Sequence, residues 1–258
     1  MPASFSSALP RAALVTGGAR RIGRAIALDL AEAGFAVAVH YGDSETEADA
    51  VVAAIQAAGG RAAAVRADLR REEETSSLIA RAEAAVGPIG VLVNNASTFE
   101  RDEALTATRA DWDLHMEVNL RAPFVLTQEL ARRLDEAAEG VVVNLLDQRV
   151  WNLTPHFTTY TLSKAGLWTL TQTLALALAP RIRVVGIGPG PALPSRRQSA
   201  EQFAAQVSEL PLARGTSPEE IAATVRFILA SRSLTGQMIA LDGGQHLHWA
   251  PGHGSNDE

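Results

Sequence analysis

The sequence of 258 residues predicts an α/β fold, a doubly wound parallel sheet of about seven strands with helices on both faces. Short apolar runs alternate with longer segments of helical periodicity, and several of the runs end in polar or glycine-rich residues. Hydrophobic residues make up 47% of the chain, which is enough to cover both faces of such a sheet. Alternation of this kind is typical of βαβ units.

The elements follow one another without a linker or an internal repeat, so we expect one Rossmann-type α/β domain over residues 1–258, with a tail at 246–258. Ser44 and Glu47 have the spacing of a capping box at the start of the second helix. Strands are predicted at 12–15, 35–40, 61–66, 89–93, 140–146, 182–187 and 237–241. Helices are predicted at 21–34, 44–58, 72–86, 109–137, 157–179 and 217–230.

Composition and charge exclude several classes of function. The chain has no cysteine, so it has neither disulfides nor a thiolate metal site. The net charge is −6 and the basic residues are scattered, which argues against binding to nucleic acid or to an anionic membrane. No signal peptide and no apolar run of membrane-spanning length is recognisable, so a cytoplasmic protein is predicted. The histidines at 246, 248 and 253 lack partners for a metal, and no metal is expected.

Tyr160 and Lys164 lie four residues apart in a predicted helix and therefore share a face. Lys164 is the only lysine among 23 basic residues, so lysine chemistry is needed there rather than an ordinary surface cation. A cation beside a phenol lowers the pKa of the phenol, which makes Tyr160 a candidate general acid. The alternative is a helix that carries an incidental tyrosine and lysine.

A glycine-containing turn joins the first strand to the first helix, in the sequence Thr16-Gly17-Gly18-Ala19-Arg20-Arg21-Ile22-Gly23. Glycines let the backbone approach a diphosphate, and a helix N-terminus offers free N–H groups. The turn predicts nucleotide binding, although glycines also serve tight turns. Parallel sheets bind ligands at the carboxyl ends of their strands, where this turn lies.

With this turn, the Asn94-Asn95-Ala96 segment and the Tyr160/Lys164 pair, the chain resembles the short-chain dehydrogenases/reductases over about residues 10–245. The glycine motif of that family matches at Thr16, Gly17 and Gly23 and departs at Arg21, where glycine is usual. The resemblance implies that Asn119 is a fourth catalytic position. Asp147 stands where the family has its catalytic serine.

Arginine in the glycine motif and aspartate in place of serine resemble the pteridine reductase branch, as does the run Asn95-Ala96-Ser97-Thr98-Phe99. The resemblance implies that Phe99 stacks on a flat pterin, that Arg21 reaches cofactor phosphate and substrate, and that Ser97 touches both ligands. Alternatively, Phe99 is a core residue and Arg21 pairs with a surface acid. Asp147 and Tyr160 would contact the substrate.

A chemical reason favours aspartate at position 147. Reduction of a C=N bond needs a proton on nitrogen, whereas reduction of a carbonyl creates an oxyanion that a serine hydroxyl steadies. A carboxyl group beside Tyr160 passes protons if it is itself partly protonated. An ionised Asp147 raises the pKa of Tyr160 and works against Lys164, so we expect the two groups to titrate as a coupled pair.

The expected cofactor is NADPH, with NADH possible. No acid stands at the tip of the second strand, His40-Tyr41, and Arg20 is placed to meet a 2′-phosphate. Asp43, where pteridine reductases tend to have a basic residue, argues the other way, and Ser44 serves as contact or as helix cap. The expected cofactor-binding residues are Thr16, Gly17, Arg20, Arg21, Ile22, Gly23, His40, Tyr41, Ser44, Asp68, Leu69, Asn95, Ala96, Ser97, Tyr160, Lys164, Pro189 and Gly190.

The segment 192–211 usually closes over substrate in this family, and here it is polar, which suits either an acidic substrate or a solvated loop. Relatives assemble as tetramers, so a homotetramer through the two long helices is expected. Leucines at 167, 170, 174 and 178 fit such an interface or packing on the sheet. A general carbonyl reductase of the same fold, and a nucleotide-sensing protein without catalysis, are the alternatives to a pterin reductase.

Overall fold

Seven parallel strands form one sheet in this computed structural model, which describes residues 5–195 and 197–247. The strand order is β3-β2-β1-β4-β5-β6-β7, and every neighbouring pair is parallel. The predicted fold class is confirmed. The strands are β1 (Ala12–Val15), β2 (Ala36–Tyr41), β3 (Ala62–Arg66), β4 (Val91–Asn94), β5 (Gly140–Leu145), β6 (Ile182–Pro189) and β7 (Met238–Leu241).

Helices connect the strands and cover both faces of the sheet. They are α1 (Arg21–Glu32), α2 (Glu45–Ala57), α3 (Glu72–Val86), α4 (Arg109–Met116), α5 (Ala122–Arg133), α6 (Thr158–Leu178), α7 (Ala200–Ser208) and α8 (Pro218–Ala230). A π-helical turn, Glu117–Arg121, joins α4 to α5, and short 3-10 turns lie at Gln148–Val150 and Gln245–Leu247. Within the described residues, none of these helices is both long and apolar enough to cross a membrane.

Alternation along the strands divides the core into two layers. Ala13 and Val15 of β1 belong to the layer that includes α1 and α8, whereas Leu14 belongs to the layer that includes α3, α5 and α6. The strands β1, β2 and β5 are buried on both faces, which explains why they are continuous apolar runs rather than alternating ones. The strand order reverses between β1 and β4, so a crevice opens at their carboxyl ends.

The long helix predicted at 109–137 is interrupted. Pro123 has no N–H for the preceding turn, and the chain widens into the π-helical turn, where the Ala122 N–H bonds to the carbonyl of Glu117. The helix also ends at Arg133, earlier than predicted. Leu134 is extended, and the Asp135 carboxylate accepts the Ala137 N–H to make a turn.

The capping box predicted from Ser44 and Glu47 is wrong. The side chain of Ser44 makes no capping hydrogen bond at the start of α2. Glu47 instead lies 3.6 Å from Arg20, across from the glycine turn. The Arg20 guanidinium competes for the Glu47 carboxylate, which in a capping box would accept the backbone N–H of Ser44.

The segment 192–211 contains a helix, α7, that periodicity did not predict. Ser199 and Gln202 form a complete capping box at its start. This spacing was present in the sequence and was the available signal. The leucines of α6 pack mainly inward, because Leu174 is buried in the core against β5 and β6 while Leu170 and Leu178 pack at the edge of that cluster.

Leu14→Ala should lower the free energy of unfolding by about 2–5 kcal/mol, because Leu14 is fully buried in the central strand and its loss leaves a cavity. Leu105→Ala is the matched control. Leu105 is 99% exposed, so a change within about 0.5 kcal/mol is expected. Urea unfolding followed by tryptophan fluorescence measures both, and equal effects would contradict the assigned core.

Candidate active site

A cavity of ≈ 330 Å³ opens at the carboxyl ends of β4, β5 and β6. A second cavity of ≈ 540 Å³ lies beside it at the ends of β1, β2 and β3. The two share the walls formed by Arg21, Ile22, Asn95 and Ser97, so they make one continuous groove. The first cavity is lined by Phe99, Asp147, Tyr160, Lys164, Pro189 and Gly190 among others.

Tyr160 and Asp147 are hydrogen-bonded in the first cavity. The phenol donates to Oδ2 of Asp147 at 2.9 Å. Burial raises the pKa of Tyr160 well above its ordinary value of 10.0, and the charge of Asp147 raises it further. The like-charge effect expected from the sequence is therefore present, and the phenol is held in its protonated form.

The predicted lowering of the Tyr160 pKa towards working pH is wrong, because burial and Asp147 raise that pKa. Lys164 is buried in the same cavity wall. Its Nζ donates to the carbonyl oxygen of Leu145 at 2.7 Å and lies 5.8 Å from the centre of the Tyr160 ring. The cation that opposes the raised pKa of Tyr160 is Arg149. Burial lowers the pKa of Lys164 itself to about 8, with Asp147 acting in the opposite direction.

Asn119 ties the segment after β4 to helix α6. Its Oδ1 accepts from the Thr98 N–H at 2.8 Å and from the Ser97 hydroxyl at 3.1 Å. Its Nδ2 donates to the Thr98 carbonyl at 3.0 Å and to the Ser163 hydroxyl at 3.1 Å. The π-helical turn places this side chain, which is 1% exposed, between two walls of the cavity.

A buried network that the sequence did not reveal fixes the start of α6. The Asp102 carboxylate accepts the Thr159 N–H at 3.2 Å and the Thr159 hydroxyl. His115 Nδ1 donates to the same hydroxyl at 2.7 Å, while its Nε2 accepts the Glu100 N–H at 3.1 Å. Asp102 thus acts as a cap for the helix that carries Tyr160. No local sequence pattern marks Asp102 as a helix cap, because it lies 57 residues before Thr159.

Phe99 belongs to an aromatic cluster at the cavity wall. Its ring stacks on Phe157 with centres 4.3 Å apart and planes 8° apart, and it meets the Tyr160 ring edge-on at 4.6 Å. Phe157 is fully buried and left-handed, with φ +60°, an unusual conformation for an aromatic residue. Phe99 is therefore neither free nor a simple core residue, since it also lines the cavity.

The glycine turn is folded too tightly to accept a side chain at Gly23. A Cβ at Gly23 would lie 2.1 Å from the carbonyl oxygen of Gly17, and Gly17 has φ +62°. Arg21 adopts φ +51° at the position where the family has glycine. Its guanidinium donates to the carbonyls of Leu193 at 3.4 Å and Pro194 at 3.1 Å, rather than to a surface acid.

Thr16 and Asn95 hold the turn against β4. The Thr16 hydroxyl accepts the N–H groups of Asn95 and Ala96 at 2.9 and 3.0 Å. The Asn95 amide donates to the carbonyls of Thr16 and Gly17 at 2.8 and 3.2 Å. These side-chain groups all form hydrogen bonds within the protein. Thr16, which is 1% exposed, therefore stabilises the turn from its buried side.

His40 also supports the turn. The Gly17 N–H donates to its Nδ1 at 3.0 Å, and its Nε2 lies 3.1 Å from the Ala67 carbonyl oxygen and donates to it. Burial lowers the pKa of His40 to about 4, so the imidazole is neutral at pH 7. A protonated Nδ1 cannot accept the Gly17 N–H.

Charges of both signs line the second cavity. Arg70 pairs with Asp68 through Nη2 and Oδ2 at 2.7 Å, and this pairing lowers the pKa of Asp68. Asp68 raises the pKa of the Arg70 guanidinium, and the negative charge of Asp43 acts in the same direction. The lining residues include Arg20, Tyr41, Ser44, Leu69 and Ala96.

Within the described ranges, no three His, Cys, Asp or Glu residues are grouped to hold a metal ion. His246 pairs with Asp242 through Nδ1 and Oδ2 at 2.7 Å. The histidines at 248 and 253 lie outside the described residues.

The chain belongs to the short chain dehydrogenase family, whose model matches residues 11–204. Among solved structures, it is similar to FolM alternative dihydrofolate reductase 1 from Brucella canis complexed with NADP, with 50% identity, a TM-score of 0.92, and coverage of 96% of this chain and 99% of that one. The Brucella suis protein in complex with NADP is 51% identical, with the same TM-score and coverage. A 3-oxoacyl acyl-carrier-protein reductase of Synechocystis sp. is 36% identical over 90% of this chain and 95% of that protein.

The stability supplied by His40 should disappear as the pH falls. The folded-state pKa of about 4 lies below the unfolded value of 6.5, so the unfolded chain binds the proton first. The contribution is present above pH 6.5 and falls by about 3 kcal/mol as the pH drops towards 4. Chemical unfolding of the wild type and of His40→Asn at several pH values measures it.

The difference in unfolding free energy between wild type and His40→Asn should narrow across this window, because the asparagine does not titrate. Parallel curves from pH 7 to pH 4 would show that His40 is not the buried neutral imidazole assigned here. His40→Gln is a second variant without a titrating group and should behave in the same way.

Proposed function

We propose that this protein is an NADPH-dependent reductase of the C=N bonds of a pterin or dihydropterin. The observation that carries the proposal is the hydrogen bond between Tyr160 and Asp147, in a cavity whose wall includes the ring of Phe99. The similarity to the two FolM dihydrofolate reductases supports the same substrate class.

The cofactor fits the groove on the evidence of the turn itself. Gly17 and Gly23 let the turn fold tightly at the start of α1, because a Cβ at Gly23 would clash with the carbonyl oxygen of Gly17. The free N–H groups at the N-terminus of α1 would then bind a diphosphate in the second cavity. Arg20 and Arg70 line the second cavity as cations for a 2′-phosphate, while Asp43 is the opposing charge. A nicotinamide cofactor supplies the hydride. Ile22, Ala96, Ser97, Pro189 and Gly190 would border it, with Tyr160 and Lys164 on its nicotinamide ribose.

Tyr160 delivers the proton in this proposal. Its raised pKa keeps the proton on Oη, from which it passes to a substrate nitrogen. Asp147 accepts the phenol hydrogen bond and, when protonated, returns a proton to the phenol oxygen. Asn119 sets the distance between the two walls through Thr98 and Ser163.

Asp147 favours a C=N bond over a carbonyl. A carbonyl develops negative charge on oxygen during reduction, and a carboxylate beside that oxygen repels it. A C=N nitrogen instead takes up a proton, which a carboxyl–phenol pair can deliver. Phe99 supplies a flat apolar face for a bicyclic ring, and Phe157 supports it from behind.

The segment 192–211 closes one side of the substrate site in this proposal. Ala192, Leu193, Ser195, Gln198 and Phe203 line the first cavity. Arg21 reaches the same segment through the carbonyls of Leu193 and Pro194, which connects it to the glycine turn. Arg21 and Ser97 thus border both cavities and are placed to touch cofactor and substrate.

A general carbonyl reductase is the second candidate. The 36% identity to a 3-oxoacyl acyl-carrier-protein reductase favours it. The assay therefore follows loss of NADPH absorbance with dihydrobiopterin in parallel with acetoacetyl-CoA and simple ketones, and repeats it with NADH. Pterin turnover without ketone turnover supports the proposal. Ketone reduction without pterin turnover would reject it.

Asp147→Ser should lower kcat for dihydrobiopterin by about 100-fold or more, because the phenol loses the group that resupplies its proton. Asp49→Ser, at an exposed position on α2, is the matched control and should leave kcat within about twofold. Steady-state kinetics with NADPH measures both. Full pterin turnover by Asp147→Ser would overturn the proton-relay role.

We further propose a cytoplasmic homotetramer that forms through α5 and α6. An open groove lined by Leu120, Phe124, Gly166 and Leu170 runs between the two helices, and Leu162 and Leu176 of α6 are exposed. Light scattering after size exclusion should give about 109 kDa, four times the chain mass of 27.3 kDa. A mass near that of a single chain would contradict the assembly.

A further inference from the structure

Arg149 is a buried cation in the wall of the first cavity, with 8% of its surface exposed. It belongs to the short turn Gln148–Val150, which follows β5. The guanidinium makes one long hydrogen bond, from Nη1 to the Thr154 hydroxyl at 3.4 Å. Because a guanidinium has five N–H donors, four of them have no partner in the described part of the chain.

The charge of Arg149 is not neutralised by an acid. The ion pairs among the described residues do not include it. The carboxylate of Asp147 accepts the backbone N–H of Arg149 at 2.8 Å and the phenol of Tyr160 at 2.9 Å instead. Buried cations are normally paired, because desolvating an unpaired charge is unfavourable. The cavity wall therefore holds a positive charge that a bound anion would neutralise.

The neighbouring side chain, Gln148, is also incompletely hydrogen-bonded. It is 4% exposed and lines the same cavity. Its Oε1 is enclosed and accepts no hydrogen bond from the described residues. Buried polar groups normally have hydrogen-bond partners, so two consecutive exceptions in one cavity wall indicate a place for a polar ligand.

The guanidinium lies at the edge of the ring on which a pterin would stack. Its central carbon is 5.5 Å from the centre of the Phe99 ring and 4.8 Å from that of Phe157. Since these rings are stacked 4.3 Å apart, a group at such distances lies beside the stack and not over an outer face. Phe157 covers one face of Phe99, so a flat ligand would use the other. Arg149 then lies beside the margin of that ligand, where substituents project from the ring system.

We propose that Arg149 binds a carboxylate on a substituent of the substrate and so selects acidic pterins over neutral ones. The planar fork of a guanidinium matches the two oxygens of a carboxylate. One unpaired cation balances one negative charge, and the neighbouring Asp147 would repel a dianion such as a phosphate. The pterin ring in this inference rests on the proposed function, whereas the preference for an acid rests on the cavity wall alone.

Arg197 provides a matched control, because its guanidinium lies beside the same two rings, 5.3 Å from the centre of Phe99 and 5.7 Å from that of Phe157. It donates to the Phe99 carbonyl at 2.8 Å and to the Glu100 carboxylate at 3.1 Å, so its charge is already paired. Arg149→Met and Arg197→Met therefore remove the same group from the same ring stack. They differ in whether an unpaired cation is lost.

The experiment measures binding of pterin-6-carboxylate and of 6-hydroxymethylpterin to the protein saturated with NADP+, by isothermal titration calorimetry. The two ligands share the ring system and differ in the charge of one substituent. The wild type should bind the carboxylate about 10- to 100-fold more tightly, as expected for hydrogen bonds to a charged group.

The variants should separate charge from packing. Arg149→Met should abolish the preference for the carboxylate and leave the Kd of 6-hydroxymethylpterin within about threefold. Arg149→Lys should recover part of the preference, because it restores the charge without the planar fork. Arg197→Met should keep the wild-type preference. Arg149→Gln replaces Arg149→Met if the latter does not fold.

Three results would overturn the inference. Equal affinity of the wild type for the two pterins would show that the cavity does not select an acid. An equal loss of affinity for both ligands in Arg149→Met would indicate packing of the guanidinium on the rings. Loss of the preference in Arg197→Met to the same extent as in Arg149→Met would assign it to the general charge of the cavity mouth.

A second pair of ligands separates this question from the proposed function. If the wild type binds neither pterin but reduces ketones, the proposed substrate class fails. KM is then compared for acetoacetate and its methyl ester, which differ in the same charge. A preference for the acid that Arg149→Met removes would support the role of Arg149, and equal KM values in the wild type would reject it.

Discussion

The hydrogen bond between Tyr160 and Asp147 imposes a constraint on everything around it. A phenol and a carboxyl group can exchange a proton only if they stay in contact, yet one belongs to α6 and the other follows β5. Bringing both groups out of water raises the pKa of the phenol and makes a neighbouring cation valuable. The parallel sheet brings the two groups together because its strands end at one edge, and Lys164 lies in the same cavity wall with its Nζ 5.8 Å from the centre of the Tyr160 ring.

Several polar side chains form hydrogen bonds that hold segments of irregular backbone together. Asn119 joins the segment after β4 to α6, Asp102 caps α6 through Thr159, and Asn95 and Thr16 hold the glycine turn on β4. Asn119, Asp102 and Thr16 are buried and Asn95 is half-buried, and each satisfies backbone groups that loops would otherwise leave unpaired. Loops beside a ligand site lack the regular backbone hydrogen bonds of a β-sheet, so side-chain hydrogen bonds of this kind hold them in place.

The sequence was sufficient to predict the parallel sheet, because buried parallel strands are continuous apolar runs and the alternation of strands with helices is a local pattern. It also located Tyr160, Asp147 and Asn119 by position in a motif. It did not locate Asp102, because the role of that residue depends on a contact with a distant segment: Asp102 lies 57 residues before Thr159. It misjudged the direction of the pKa shift of Tyr160, because spacing on a helix does not show how deeply the phenol is buried. Pro123, in the first turn of α5, was the available signal that the helix predicted at 109–137 is interrupted, but the π-helical turn before it has no simple sequence signature.

Arg21 couples two parts of the molecule that other glycine motifs leave independent. Its backbone occupies the left-handed region inside the glycine turn, and its guanidinium donates hydrogen bonds to the carbonyls of Leu193 and Pro194. Glycine at this position would relieve the backbone strain but would release the segment before α7. Movement of the segment away from the groove would therefore break hydrogen bonds anchored in the glycine turn, and through these bonds the turn that borders the second cavity also fixes one wall of the first.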